Sequence, residues 1–134
     1  MKGISEYLEL NEIARKDGAS YENHRQIYHQ ISIQEGRHLI GIVGPIGVGK
    51  TVLLKQLAHS HKNSFYLSVD TMSGEDLFQI ASVLSDQYKI KTLLLDEIHY
   101  KRDYQKELKK IYDFLSIRVV FTSSVSLSLK ESAF

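Results

Sequence analysis

Eight residues in the middle of the chain, Gly44-Pro45-Ile46-Gly47-Val48-Gly49-Lys50-Thr51, place glycines, a lysine and a hydroxyl at the spacing G-x-x-x-x-G-K-[ST]. The chemistry of that spacing is phosphate binding. Glycines let the backbone curl so that successive N–H groups point inward at phosphate oxygens, and a helix starting at this point adds the positive end of its dipole. Lys50 is then placed to neutralise β- and γ-phosphate oxygens, and the Thr51 hydroxyl to ligate Mg²⁺. The expected nucleotide contact runs from Gly44 through Val52.

A second group stands at Leu93-Leu94-Leu95-Asp96-Glu97, an apolar run that delivers two adjacent carboxylates. Two charges at the end of a buried strand are costly unless they are paired or bind a cation. Asp96 is the expected Mg²⁺ ligand, directly or through a water, and Glu97 the group that orients and deprotonates an attacking water. A third run, Val119-Val120-Phe121-Thr122-Ser123-Ser124, ends in hydroxyls. One of these, with Ser123 the first choice, is expected to touch the γ-phosphate or the attacking water. The bland alternative is that the three hydroxyls end a strand and cap the next helix.

The elements that must position these groups follow from hydrophobic periodicity. From about residue 37 onward strand-like and helix-like patterns alternate, which predicts an α/β fold with a parallel sheet. Strands are expected at residues 38–43, 65–69, 92–95 and 117–121, the first reading as buried on both faces. Helices are expected at residues 51–58, from a Ser73 cap through Leu84 with Glu75 and Asp76 in the first turn, and at 103–115. In open parallel sheets ligands lie beyond the carboxyl ends of the strands, so the three groups converge on one edge.

Residues 4–15 and 21–34 carry apolar groups at helical intervals, with Lys16-Asp17-Gly18 read as a break between two helices. They form an expected N-terminal helical segment, residues 1–36, ahead of a core at 37–134. The final ten residues are expected to begin another helix.

Composition excludes several other classes. The chain has 134 residues, 43% apolar and 25% charged, which suits one globular domain. Seventeen Lys plus Arg against sixteen Asp plus Glu give a charge of +1, so no global field draws it to nucleic acid or anionic membrane. No cysteine is present, which removes disulfides and thiolate-zinc sites. No apolar run approaches the roughly 18 residues of a membrane span, no secretory h-region opens the chain, and a cytoplasmic location is the default. Tyr100-Lys101-Arg102 with Lys106, Lys109 and Lys110 reads as a solvated basic face, a nucleic-acid or partner surface being the alternative. His24, His29, His38, His59, His61 and His99 share no helical face, and His99 alone lies beside the acid pair.

Together the three groups resemble the P-loop ATPases of the AAA-like branch, where a catalytic glutamate follows the Walker B aspartate and a polar sensor residue ends the next strand. Over residues 37–134 the chain is most similar to prokaryotic, archaeal-type AAA ATPases with Leu-Asp-Glu-Ile and Thr-Gly-Ser-Ser signatures. Members often carry an arginine where Ile46 stands, and Ser123 replaces the glycine of the second signature. The resemblance implies ATP and Mg²⁺ as cofactors and a three-layer P-loop NTPase fold with four visible strands in the order 1-4-3-2. It also implies that a fifth strand, an arginine finger, a second sensor and a lid lie beyond Phe134, making this the N-terminal part of a longer ATPase.

The expected function is Mg-dependent ATP binding and hydrolysis, weak or absent in these 134 residues alone, with a homo-oligomer or a protein partner for the full-length form. A nucleotide-gated binding module with negligible hydrolysis is the alternative, and a small-molecule phosphotransferase ranks last for want of an arginine-rich lid. The guanine-reading Asn/Thr-Lys-x-Asp signature is missing, which argues against a GTPase.

Overall fold

The computed structural model describes residues 3–21, 28, 39–44 and 49–124. Apart from Tyr21 and Tyr28, the helix expected over 21–34 lies outside the described residues. So do Pro45, Ile46, Gly47 and Val48, His24, His29 and His38, and the last ten residues.

In chain order the elements are α1 (Ile4–Ala19), β1 (Leu39–Gly44), α2 (Lys50–Ser60), β2 (Ser64–Ser68), α3 (Leu77–Gln87), β3 (Thr92–Asp96), α4 (Tyr104–Phe114) and β4 (Arg118–Ser124). Short 3₁₀ turns occupy Val69–Thr71 and Ile98–Tyr100. The strands form one sheet in the order β1-β4-β3-β2, and every pairing is parallel. This is the α/β fold the sequence predicts and the strand order the resemblance implies.

Alternation along the strands divides the core into two faces. Even-numbered Tyr66, Leu94 and Val120, flanked by Ile40 and Ile42, pack against Leu53, Leu54, Leu57 and Ala58 of α2, Ala14 of α1, and Tyr28. Odd-numbered Phe65, Leu67, Leu93, Leu95, Val119 and Phe121 pack against α3 and α4 through Leu77, Ile80, Leu84, Leu108 and Ile111. Helix, sheet and helix therefore make the three layers.

The two sheet edges are treated differently. Along β2, the side chain of Asn11 accepts from the Tyr66 backbone N–H at 2.8 Å and Arg15 donates to the Ser64 carbonyl at 3.2 Å. Helix α1 thus satisfies strand-edge groups with side chains in place of another strand. Tyr7 of the same helix is buried in the α3/α4-side core and donates to Glu75 at 2.8 Å. On the opposite edge, β1 pairs only with β4 among the described residues. Its odd face, with Leu39 and Val43, is exposed. The expectation of a strand buried on both faces is corrected accordingly, since α4 covers β3 and β4 and stops short of β1.

Three local expectations also change. Helix α1 runs through Lys16-Asp17-Gly18 to Ala19 without a break. Asp76, not Ser73, caps α3, accepting from the N–H groups of Phe78 and Gln79. Strand β4 continues through Ser124, so the three hydroxyls belong to the strand and are held by its register.

Candidate nucleotide-binding site

Gly44 ends β1, and Gly49 immediately precedes α2 with φ 83°. That left-handed backbone is cheap only for glycine, which accounts for the glycine before Lys50. Lys50 then begins the helix, is 6% exposed, and donates from Nζ to the Gly44 carbonyl at 2.6 Å. The ammonium thus bridges the two ends of the glycine-rich loop. Thr51 and Val52 follow in the first turn of α2, both half-buried.

At the carboxyl ends of β3 and β4 the polar groups form a connected chain. Asp96 is 2% exposed. One carboxylate oxygen accepts the Tyr66 hydroxyl at 2.6 Å and the other accepts the Thr122 hydroxyl at 2.5 Å. The same Thr122 oxygen accepts the Glu97 backbone N–H at 3.1 Å. Thr122 is fully buried, so one hydroxyl with a fixed donor and acceptor sense locks the end of β4 to both acids. Burial, and then the hydrogen bond to Asp96, push the Tyr66 phenol far above the ordinary tyrosine range, so it remains a donor to the carboxylate.

Glu97 is in the left-handed region, with φ 58° and ψ 48°. For a non-glycine residue this conformation costs on the order of 1 kcal/mol and persists only where neighbours over-determine it. Here the N–H is held by Thr122 and the carbonyl accepts from the Tyr100 N–H at 3.1 Å. The strand therefore turns sharply after Asp96, and the two carboxylates part. Asp96 stays against the α2 side of the sheet, and the Glu97 Oε2 atom lies 3.4 Å from His99 Nε2.

The three β4 hydroxyls have separate surroundings. Thr122 is the lock just described. Ser123 is fully buried, with its hydroxyl 3.3 Å from His99 Nδ1. Ser124 Oγ is buried without a hydrogen-bond partner among the described residues, and alternation puts it on the sheet face of Asp96 and Thr122.

Two residues in this network escape a reading of the sequence. Tyr66 sits in Phe65-Tyr66-Leu67 and is indistinguishable there from a core aromatic; only the strand order brings it beside Asp96. His99 is flagged by its place after the acid pair, but not as a partner of β4. Replacing Tyr66 with phenylalanine removes one of the two hydroxyl donors to a buried carboxylate, a loss of about 1.5–3 kcal/mol. A urea midpoint shifted by that amount with an unchanged slope is the expected result; an unshifted midpoint would show that water replaces the hydroxyl.

A parallel sheet with a lysine-bearing glycine loop after its first strand and an acid pair at the same carboxyl edge defines a P-loop ATPase-type nucleotide-binding domain. A family model described as an AAA domain matches residues 36–133, and the chain belongs to that family. Uncharacterized protein MJ1637 of Methanocaldococcus jannaschii is 34% identical over 110 residues, which are 72% of this chain and 23% of that protein. The structure of C. elegans PCH-2 is similar in fold, with a TM-score of 0.50 at 20% identity, covering 95% of this chain and 37% of that one. The chain thus spans well under half the length of each. No helix among the described residues is long and apolar enough to cross a membrane.

Proposed function

We propose that this domain binds ATP with Mg²⁺ and hydrolyses it to ADP and phosphate. The observation that carries the reading is the buried Asp96–Thr122–Glu97 chain, which orders both acids at the strand ends beside the helix that begins with Lys50. Backbone N–H groups of the loop from Gly44 to Thr51 cradle the phosphates, and the Lys50 ammonium exchanges the Gly44 carbonyl for β- and γ-phosphate oxygens. Val52 closes the contact from the first turn of α2.

The donor set fits Mg²⁺. Among the described residues no group of three or more His, Cys, Asp or Glu side chains forms a metal cage. A threonine hydroxyl and one buried carboxylate suit a hard cation that takes most of its ligands from phosphate and water. Thr51 and Asp96 would hold it, and when bound it neutralises charge on the phosphate oxygens. Glu97 accepts the proton of the water that attacks the γ-phosphorus, as the bond to the bridging oxygen breaks and ADP leaves. Ser124 takes over from Ser123, the first choice of the sequence, as the strand-end hydroxyl proposed to touch the γ-phosphate or the attacking water, because Ser123 is fully buried against His99 while Ser124 Oγ lacks a partner among the described residues.

Adenine preference follows from membership of the AAA family. A homo-oligomer or a protein partner completes the site, the location is cytoplasmic, and residues 1–36 precede the core at 37–134.

Binding of a fluorescent ATP analogue tests the first half of this reading. Lys50→Ala removes a charge-assisted contact worth about 1.5–3 kcal/mol, so the dissociation constant should rise by about 10- to 100-fold; the melting curve without nucleotide, which registers loss of the bond to the Gly44 carbonyl, shows that the variant is folded at the assay temperature. An unchanged affinity would overturn the phosphate-loop assignment. Tight ATP binding by the full-length wild type with no phosphate release would replace hydrolysis with nucleotide-gated binding.

A further inference from the structure

His99 lies between the acid at the end of β3 and the hydroxyl end of β4. The turn that carries it is anchored in the core. Ile98, its neighbour in the 3₁₀ turn, is fully buried in the α3/α4-side core. The turn is closed by bonds from Tyr100 N–H to the Glu97 carbonyl and from Lys101 N–H to the Ile98 carbonyl, at 3.1 and 3.0 Å. The Tyr100 ring flanks the imidazole, with centroids 4.8 Å apart.

The partners of the ring assign its proton. The backbone N–H of Ser124 donates to Nδ1 at 3.3 Å, and a backbone amide can only donate. Nδ1 therefore carries the lone pair, and the hydrogen sits on Nε2. Nε2 is the nitrogen 3.4 Å from Glu97 Oε2. The ring thus places Nε2 within ion-pair distance of the carboxylate, while its opposite nitrogen is tied to the last described residue of β4. The Ser123 hydroxyl, also at Nδ1, reinforces the tie.

We infer that His99 is a positioning residue for Glu97: its Nε2–H holds the carboxylate in register with the carboxyl end of β4, so water activation requires that end to be in place. The inference rests on the proposed role of Glu97. Its mechanical content is distinct, because a displacement of Ser123 and Ser124 moves the ring and, through it, the carboxylate. Nucleotide contact at the β4 hydroxyls and the readiness of the base then become one event.

Single-turnover phosphate release and ATP-analogue affinity, both measured on the full-length protein, test it. His99→Ala should slow release by about 10- to 100-fold, the usual size of an outer-shell positioning effect, with ATP affinity within about twofold. His99→Gln, whose amide nitrogen falls near Nε2, should recover most of the rate. His99→Asn, which reaches only to Nδ1, should not. In a Glu97→Gln background His99→Ala should change little further, because the two act through one group. Imidazole ¹⁵N spectra should show a pyrrole-type Nε2 and a pyridine-type Nδ1, with the Nε2–H signal moved by Glu97→Gln.

A wild-type rate in His99→Ala, equal losses of rate and affinity, equal rescue by asparagine, or a proton on Nδ1 would each overturn the inference. If Glu97→Gln itself leaves the rate unchanged, the role of Glu97 falls first and this inference with it. A slow Glu97→Gln beside a normal His99→Ala removes only the positioning role.

Discussion

Glu97→Gln is expected to slow γ-phosphate release by at least about 100-fold while ATP affinity stays within about twofold, because general base catalysis contributes roughly 10²–10⁴. The substitution keeps the shape of the side chain and removes only its capacity to take a proton. The features that hold residue 97 are backbone features and survive: the N–H to Thr122 and the carbonyl to Tyr100. The left-handed turn that aims the side chain away from Asp96 is therefore retained. Asp96, with its bonds to Tyr66 and Thr122, is untouched, so Mg²⁺-dependent binding should persist. Rapid-quench measurement of phosphate release alongside equilibrium binding separates the two quantities. A parent-like rate would mean that the water is activated by some other group; a matched loss of binding would mean that Glu97 holds the ligand and does not act as the base.

The second large effect concerns Gly18, and here helix propensity and packing predict opposite signs. As a residue in the last turn of helix α1, Gly18 replaced by alanine should stabilise the helix by up to about 1 kcal/mol. The structure forbids it. A Cβ at this position would lie 2.0 Å from the Lys55 carbonyl oxygen and 2.5 Å from the carbonyl carbon, and backbone cannot rotate out of the way as a side chain can. Helices α1 and α2 would have to separate, disturbing the Lys55–Asp17 ion pair at 2.6 Å and the packing of Ala14 against α2. Overpacking of this kind costs about 1–3 kcal/mol and occasionally more, and the upper end is expected because both nearest atoms are main chain. Because α2 begins with Lys50, the displacement also reaches the phosphate loop. Gly18→Ala should lower the urea midpoint and weaken ATP binding together; a raised midpoint would show that α1 can shift at no cost.

Gly18 also shows how far the sequence could be read. In one dimension Lys16-Asp17-Gly18 carries the composition of a helix end, and only the proximity of α2 discloses that the glycine is there for close approach. Ser73 and Asp76 are similar, since both are good capping residues and the choice between them depends on where α3 docks. The even-odd division of the strands between two core faces was not readable from near-continuous apolar runs such as Leu93-Leu94-Leu95; it is set by which helices cover each face.

The parallel α/β class, the place of the glycine loop between a strand and a helix and that of the acid pair at a strand end were legible in the amino-acid order, because they depend on local spacing and short-range periodicity. Thr122 was among the polar strand-end candidates, but its role as the lock between Asp96 and Glu97 was not legible. Nor were the hydroxyl of Tyr66 on Asp96 or the bridge of His99 from Glu97 to Ser124. Each of these joins residues more than twenty positions apart, and such contacts exist only once parallel strand register has set β2, β3 and β4 side by side.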